Sequence, residues 1–200
     1  MTDLFEEKAK DWDANERRAK LAFAISASIV EHVPLHEQMT VMDFGAGTGL
    51  ISTQIAPLVN RIVAADTSKS MLDKLASKPE LKGKVEIICQ DIIEEPLDAR
   101  FDLIMSAMTM HHVENTSTLI EKLAEHLNDS GMVALADLDR EDGSFHPPDT
   151  EGVFHLGFDR DELRTILKSQ GFKQVEFFTA HTINGELKDY PVFLLTARKA

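Results

Sequence analysis

Short apolar runs alternate with amphipathic stretches through most of the chain, and the alternation reads as strand, helix, strand. Residues 39–44 (MTVMDF), 61–65 (RIVAA), 84–89 (KVEIIC), 101–107 (FDLIMSA) and 132–138 (MVALADL) are predicted strands. Between them, residues 50–58, 69–76 and 116–127 carry helical spacing, the last closed by Asn128-Asp129-Ser130-Gly131. Ahead of them, residues 5–33 are predicted as helix, because Leu21, Ile25, Ile29 and Val33 recur at helical intervals in an alanine-rich stretch. Strands apolar on both faces and separated by helices predict a parallel sheet covered on both sides.

The rhythm changes at the end. Asp159 and Glu162 have the spacing of a capping box opening a helix that runs to Gln170, with Gly171 placed to close it. Residues 172–180 and 192–197 then form two β-rich runs joined through Asn184-Gly185, too short a connection for a helical crossover, so they should pair antiparallel. Five parallel strands followed by one hairpin separate this chain from ordinary dinucleotide-binding domains. No linker or internal repeat divides it, and 200 residues fit one domain.

Charge narrows the partners. The chain carries 34 acidic against 21 basic residues, a formal charge of −13, with the basic residues scattered. Nucleic acid is disfavoured, since tracking phosphates requires a basic surface, and so is docking on anionic membranes. The longest apolar runs, such as 21–25 and 192–195, are too short to cross a bilayer, and the N-terminal MTDLFEEKAKDW lacks the apolar core of a secretory signal. The one cysteine, Cys89, admits no intrachain disulfide. A cytoplasmic monomer or homodimer acting on a small neutral or cationic molecule is the expectation.

The first strand runs into Asp43-Phe44-Gly45-Ala46-Gly47-Thr48-Gly49, then a helix. Alternate glycines let a ligand press on bare backbone at the carboxyl end of a strand, where doubly wound sheets bind ligands. A dinucleotide fingerprint needs glycine at position 50, where Leu50 stands. An acid at the tip of the second strand, Asp66, is placed to accept hydrogen bonds from two ribose hydroxyls. It is also placed to cap a helix opening at Thr67-Ser68-Lys69, and both readings can hold together.

The segment Val41-Met42-Asp43-Phe44-Gly45-Ala46-Gly47-Thr48-Gly49 resembles the first signature motif of the class I S-adenosylmethionine-dependent methyltransferases. It is most similar to the small-molecule enzymes related to quinone-biosynthesis methyltransferases, and the resemblance covers the whole chain. It implies a Rossmann-like α/β fold, a doubly wound seven-stranded sheet, mostly parallel, whose last strand is antiparallel and inserted beside the fifth. It also implies that Gly45, Ala46, Gly47 and Gly49 pass under the methionine part of S-adenosylmethionine, with Asp43 near its amino group. On the same grounds Asp66 holds the ribose with Thr67 beside it, and Asp91 and Ile92 meet the adenine. Met71 lies under the ring or simply packs in the core, and Ser106, at the end of the fourth strand, also binds the cofactor.

The segment after that strand, Ser106 to Val113, matches the family's position beside the transferable methyl. His111 or His112 there orients the acceptor or takes its proton, or else packs against the cofactor or caps the helix at Asn115. Methyl transfer also proceeds by alignment and desolvation alone, so a base is not obligatory. The long loop 139–158, with His146 and His155, and the N-terminal stretch around Phe5 and Trp12 are the expected acceptor pocket and lid. Trp12 either stacks on a ligand or anchors its helix. Asp137, Asp139, His146 and His155 lack the spacing of a metal site, so no metal is expected. The division that follows is 1–36 lid, 37–138 cofactor core, 139–158 acceptor loop and 159–200 helix and hairpin. One cysteine is too few for arsenic methylation. The same fold supports aminopropyl transfer, carboxymethyl transfer or sensing, which keep the cofactor and change the chemistry.

Overall fold

The computed structural model describes residues 3, 5–147, 150–185 and 188–200. Met1, Thr2 and Leu4 of the expected lid, and Pro148 of the expected acceptor loop, lie outside them. Seven strands form one sheet: β1 (Thr40–Phe44), β2 (Arg61–Asp66), β3 (Val85–Cys89), β4 (Phe101–Ala107), β5 (Leu127–Leu138), β6 (Phe172–Asn184) and β7 (Asp189–Lys199). Their order is β3-β2-β1-β4-β5-β7-β6, and β7 alone runs antiparallel to its neighbours, between β5 and β6. Helices α1 (Glu6–Ala9), α2 (Glu16–His32), α3 (Leu50–Ile55), α4 (Lys69–Ala76), α5 (Thr116–Glu125) and α6 (Arg160–Ser169) complete the fold.

Alternation along the central strands builds two cores. Val41, Leu103, Met105, Ala134 and Leu194 face α2, α3 and α4, meeting Ile25, Ile29, Ile55 and Leu75. Their neighbours Met42, Ile104, Val133, Phe193 and Leu195 face α5 and α6, meeting Leu119, Leu123, Leu163 and Leu167. Successive strand residues point to opposite faces, so a strand apolar at every position must be covered twice. The edge strand β3 departs from this: it is largely exposed, with polar Glu86 among its apolar residues.

Three boundaries differ from the sequence reading. The expected helix over 5–33 is broken at residues 10–15. Asn15 ends the break by capping α2, its side chain accepting from the Arg17 and Arg18 amides. At the other end, Val33 is extended ahead of Pro34, as the proline ring requires. The helix expected to reach 127 stops at Glu125, and Asn128-Asp129-Ser130-Gly131 falls within β5. There the pairing jumps from Phe101↔Leu127 to Leu103↔Met132, and Ser130 turns in the left-handed region (φ 60°), so the turn chemistry was legible but serves a bulge. The hairpin strands run longer than their apolar cores. Asp159 caps α6 as expected, accepting from the Asp161 and Glu162 amides, although the Glu162 side chain pairs with Arg140.

The sheet order reverses between β1 and β4, which leaves a crevice above their carboxyl ends. Among the described residues, no helix is long and apolar enough to cross a membrane.

Candidate active site

The loop leaving β1 forms the floor of that crevice. Gly45, Gly47 and Gly49 all have positive φ (69°, 54° and 79°), a region other residues occupy at a cost. They serve different ends. A Cβ on Gly45 would sit 2.2 Å from the Thr109 side chain, and one on Gly49 would sit 2.7 Å from Leu75, so both permit close packing. A Cβ on Gly47 would meet nothing within 4 Å: its bare backbone borders a cavity of about 1020 Å³.

Acids ring the floor. Asp66, at the tip of β2, accepts from the Gly47 amide at 2.7 Å and from the Ser68 amide at 2.8 Å. An ionised carboxylate has about four acceptor positions, so each oxygen keeps one for a ligand hydroxyl. Ser68, not Asp66, caps α4, accepting from the Met71 amide. Burial pushes the Asp66 carboxyl up from its ordinary value, against the pull of these amides. Asp43 is buried, accepts from the Ser52 hydroxyl at 2.6 Å, and is pushed up to about 7 by burial, with nearby Asp66 adding to the effect. Asp91 lines the far end beside Gln90 and Ile93.

The N-terminal segment roofs the cavity. Phe5 meets Trp12 and His112 edge-on (6.0 and 5.5 Å between centroids), and the Arg18 guanidinium lies 3.8 Å above the Trp12 ring. Two aspartates tie this roof down. Asp3 accepts from both the Ser68 and Ser70 hydroxyls at the start of α4. Asp13 accepts from Thr48 in the glycine loop at 2.5 Å and pairs with Lys78 at 2.7 Å. Lys8 and Arg18 are the cations lining the cavity among the described residues.

The third wall holds imidazoles. His111 and His112 follow β4 with their rings tilted at 46° and centroids 4.1 Å apart; His146 lies 5.1 Å from His111. Just before them Met108 holds a left-handed conformation (φ 56°), strain that aims the segment across the crevice. His111 Nδ1 lies 2.7 Å from the buried Asp137 carboxylate, and His112 Nδ1 lies 2.6 Å from the Gly152 carbonyl. Burial first, then the neighbouring His111, pulls His112 down to about 4, so its ring is neutral near pH 7.

Of the residues singled out from sequence, Asp43, Gly45, Ala46, Gly47, Asp66, Thr67, Met71, Asp91, His111, His112, His146 and Trp12 all line this cavity. Four do not. Gly49 packs against Leu75. The Ile92 side chain is buried in the second core, leaving Ile93 at the cavity. Ser106 donates to the Phe44 carbonyl at 2.8 Å, joining β4 to β1. His155 lies behind α5's start, its Nε2 donating to the Val113 carbonyl at 2.9 Å, because loop 139–158 folds back after Gly152 to bridge Phe158 to Asp139. Asp139 is held by Arg160 in a two-point ion pair, whereas Asp137 faces His111 and His146 lines the cavity. Sequence reasoning missed Lys8, Arg18, Phe145 as a cavity wall, and Asp137 as the partner of His111. Only Asn15, a helix-capping residue three positions before Arg18, signalled where α2 would begin.

Residues 41–131 match the family model of the methyltransferase domain. An uncharacterised methyltransferase of Schizosaccharomyces pombe is 28% identical over 155 residues, 69% of this chain and 55% of its own length. The chain thus spans little more than half of that relative. An O-methyltransferase of Aspergillus nomiae is 26% identical across 87% of this chain and 83% of its own. In fold, an S-adenosylmethionine-dependent methyltransferase from Aquifex aeolicus superposes with a TM-score of 0.72 at 23% identity, covering 98% of both chains. The glycine loop, the inserted antiparallel strand and these matches agree: residues 41–131 carry a methyltransferase domain, on the fold shared with S-adenosylmethionine-dependent methyltransferases.

Proposed function

We propose that this protein transfers the methyl group of S-adenosylmethionine to a small-molecule acceptor by in-line displacement. The observation that carries the reading is Gly47: bare left-handed backbone, held by Asp66, facing a cavity large enough for two small ligands. When bound, the cofactor supplies a methyl group activated on a sulfonium. Its charges find complements here. Asp43 suits the ammonium and Arg18 the carboxylate, while Asp66 suits the ribose hydroxyls and Asp91 the adenine amine. No pocket of cations for a pyrophosphate faces the glycine loop among the described residues, which favours an adenosyl sulfonium over a dinucleotide.

The acceptor would lie between the imidazole wall and Phe5, Trp12 and Phe145. The roof keeps water from the reacting atoms, and alignment supplies much of the acceleration. A net charge of −13 supports a small acceptor over nucleic acid. A cytoplasmic setting belongs to the same proposal, supported by the single cysteine. Incubation with methyl-labelled S-adenosylmethionine and a metabolite extract tests it. Label should move to a small molecule, and a screen in which it reaches only protein or RNA would contradict the reading.

A further inference from the structure

The two cations of the cavity, Lys8 and Arg18, both stand on its roof, and neither has an ion pair among the described residues. The acids that line the cavity, Asp43, Asp66, Asp91, Glu94 and Glu114, leave both unpaired, in a chain where acids outnumber bases by 34 to 21. Lys8 is the clearer case. Its own helix α1 carries Glu6 and Glu7, yet Glu7 pairs with Lys10 at 2.7 Å. An ammonium left without a partner at a cavity wall keeps its positive potential for a ligand.

The two cations face different parts of the cavity. Arg18 lies over Trp12, in the segment that Asp13 fastens to Thr48 of the glycine loop, where the methionine part of the cofactor belongs. Lys8 faces the imidazole wall instead. Its Nζ lies 5.1 Å from the centre of the Phe5 ring, Phe5 meets His112 at 5.5 Å, and His112 lies 6.2 Å from His146. Burial, then His111 and Lys8, hold His146 below the ordinary histidine range, so the lysine charge is felt at that wall. S-adenosylmethionine has one carboxylate, and Arg18 suits it, which leaves Lys8 to the other ligand. Lys8 also stays open to solvent, so the group it receives would lie at the rim, away from the reacting atoms.

We infer that the methyl acceptor is a small carboxylate, and that Lys8 is the specificity-determining residue that receives its charged group while Phe5, Trp12 and Phe145 hold its apolar body. The inference rests on the methyltransferase reading above. It also revises the neutral or cationic acceptor expected from the charge of −13. At physiological salt that overall field is screened within about 8 Å, so the charge nearest the ligand decides. A phosphate, with its extra charge and oxygens, calls for a fork of donors such as a guanidinium, and the wall facing Lys8 offers neutral imidazoles; His112 is held down to about 4.

The probes are benzoate, its neutral isostere benzamide, and phenyl phosphate, titrated by calorimetry into the full chain saturated with S-adenosylhomocysteine. The saturated site keeps Arg18 occupied. The wild type should bind benzoate tighter than benzamide by about fivefold or more at low salt, and the preference should shrink as salt rises. Lys8→Met keeps the apolar stem over Phe5 and should bring the two probes to equal affinity, whereas Lys8→Arg should retain the preference. Both variants should hold S-adenosylhomocysteine as the wild type does, which reports that they fold and that Lys8 does not serve the cofactor. Four results would each overturn the inference: benzoate bound no tighter than benzamide, a preference that survives Lys8→Met, a parallel loss of S-adenosylhomocysteine in Lys8→Met, or phenyl phosphate bound tighter than benzoate through Lys8. Failure of the wild type to bind S-adenosylhomocysteine would instead overturn the methyltransferase reading, and this one with it.

Discussion

The Asp66 carboxylate accepts the Gly47 amide at 2.7 Å, tying the tip of β2 to the loop that leaves β1. One side chain thus shapes the floor of the cavity before any ligand arrives, and the atoms that hold the loop also face the ligand. Preorganisation of this kind removes part of the ordering cost of binding.

The glycines of that loop should separate by function. Gly45→Ala drives a Cβ into Thr109 and should lower stability by about 2 kcal/mol or more, read as an earlier denaturant midpoint. Gly47→Ala meets no protein atom, so only the left-handed strain of about 1–2 kcal/mol opposes it, yet its methyl enters the cavity. Binding of S-adenosylmethionine should fall at least tenfold while the fold survives. Equal affinity in a folded Gly47→Ala protein would remove that backbone from the site.

Asp43 makes the empty site sensitive to pH. Its carboxyl is pushed up from 3.8 to about 7 on folding, so the folded chain binds more protons than the unfolded chain between those values. Stability conferred at low pH is therefore lost as pH rises from about 4 to about 7. Asp43→Asn should flatten this dependence and raise the melting temperature at pH 8. A cationic cofactor favours the ionised form, so binding at pH 7 should release up to half a proton. Calorimetry in buffers of different ionisation enthalpy measures this, and proton uptake would contradict it.

The roof should act on kinetics. Asp13 joins Thr48 of the glycine loop to Lys78, and a half-buried pair whose acid stays open to solvent contributes about 1 kcal/mol to folding. Asp13→Asn should leave the denaturation midpoint nearly unchanged and speed cofactor dissociation several-fold in stopped-flow traces. An unchanged off-rate would mean that the roof does not gate the site.

His155 offers a contrast with His146. Both stand in the loop after β5, but only His146 borders the cavity. His146→Ala should change acceptor KM, whereas His155→Ala should loosen the start of α5 and leave KM unaltered. A KM shift from His155→Ala comparable with that from His146→Ala would be at odds with the fold of this loop.

These residues also mark what sequence alone conveys. The parallel strands were legible because burial on both faces leaves no polar alternation, and the terminal hairpin because its connection is short. Asp66, Asp91, Gly45 and Gly47 were legible as cavity residues because each stands at or just beyond a strand tip, whereas Gly49 serves packing against Leu75. His155 was not: a reversal after Gly152 decides its direction, and only long-range contacts set that reversal. Nor was Asp137, since an acid inside an apolar strand has no local signal for its partner 26 residues away. The 5–33 helix failed for a local reason. Asn15 accepts from the Arg17 and Arg18 amides, and Asp11, Asp13 and Asn15 are all residue types that favour caps over helix interiors.

Titration of S-adenosylmethionine into the wild type and Asp66→Ala tests the cofactor site most directly, with NAD as the control ligand. The wild type should bind one equivalent of S-adenosylmethionine and no NAD, and Asp66→Ala should bind at least tenfold more weakly, about 1.4 kcal/mol. Equal affinity of the two proteins, or preference for NAD, would contradict the proposed site.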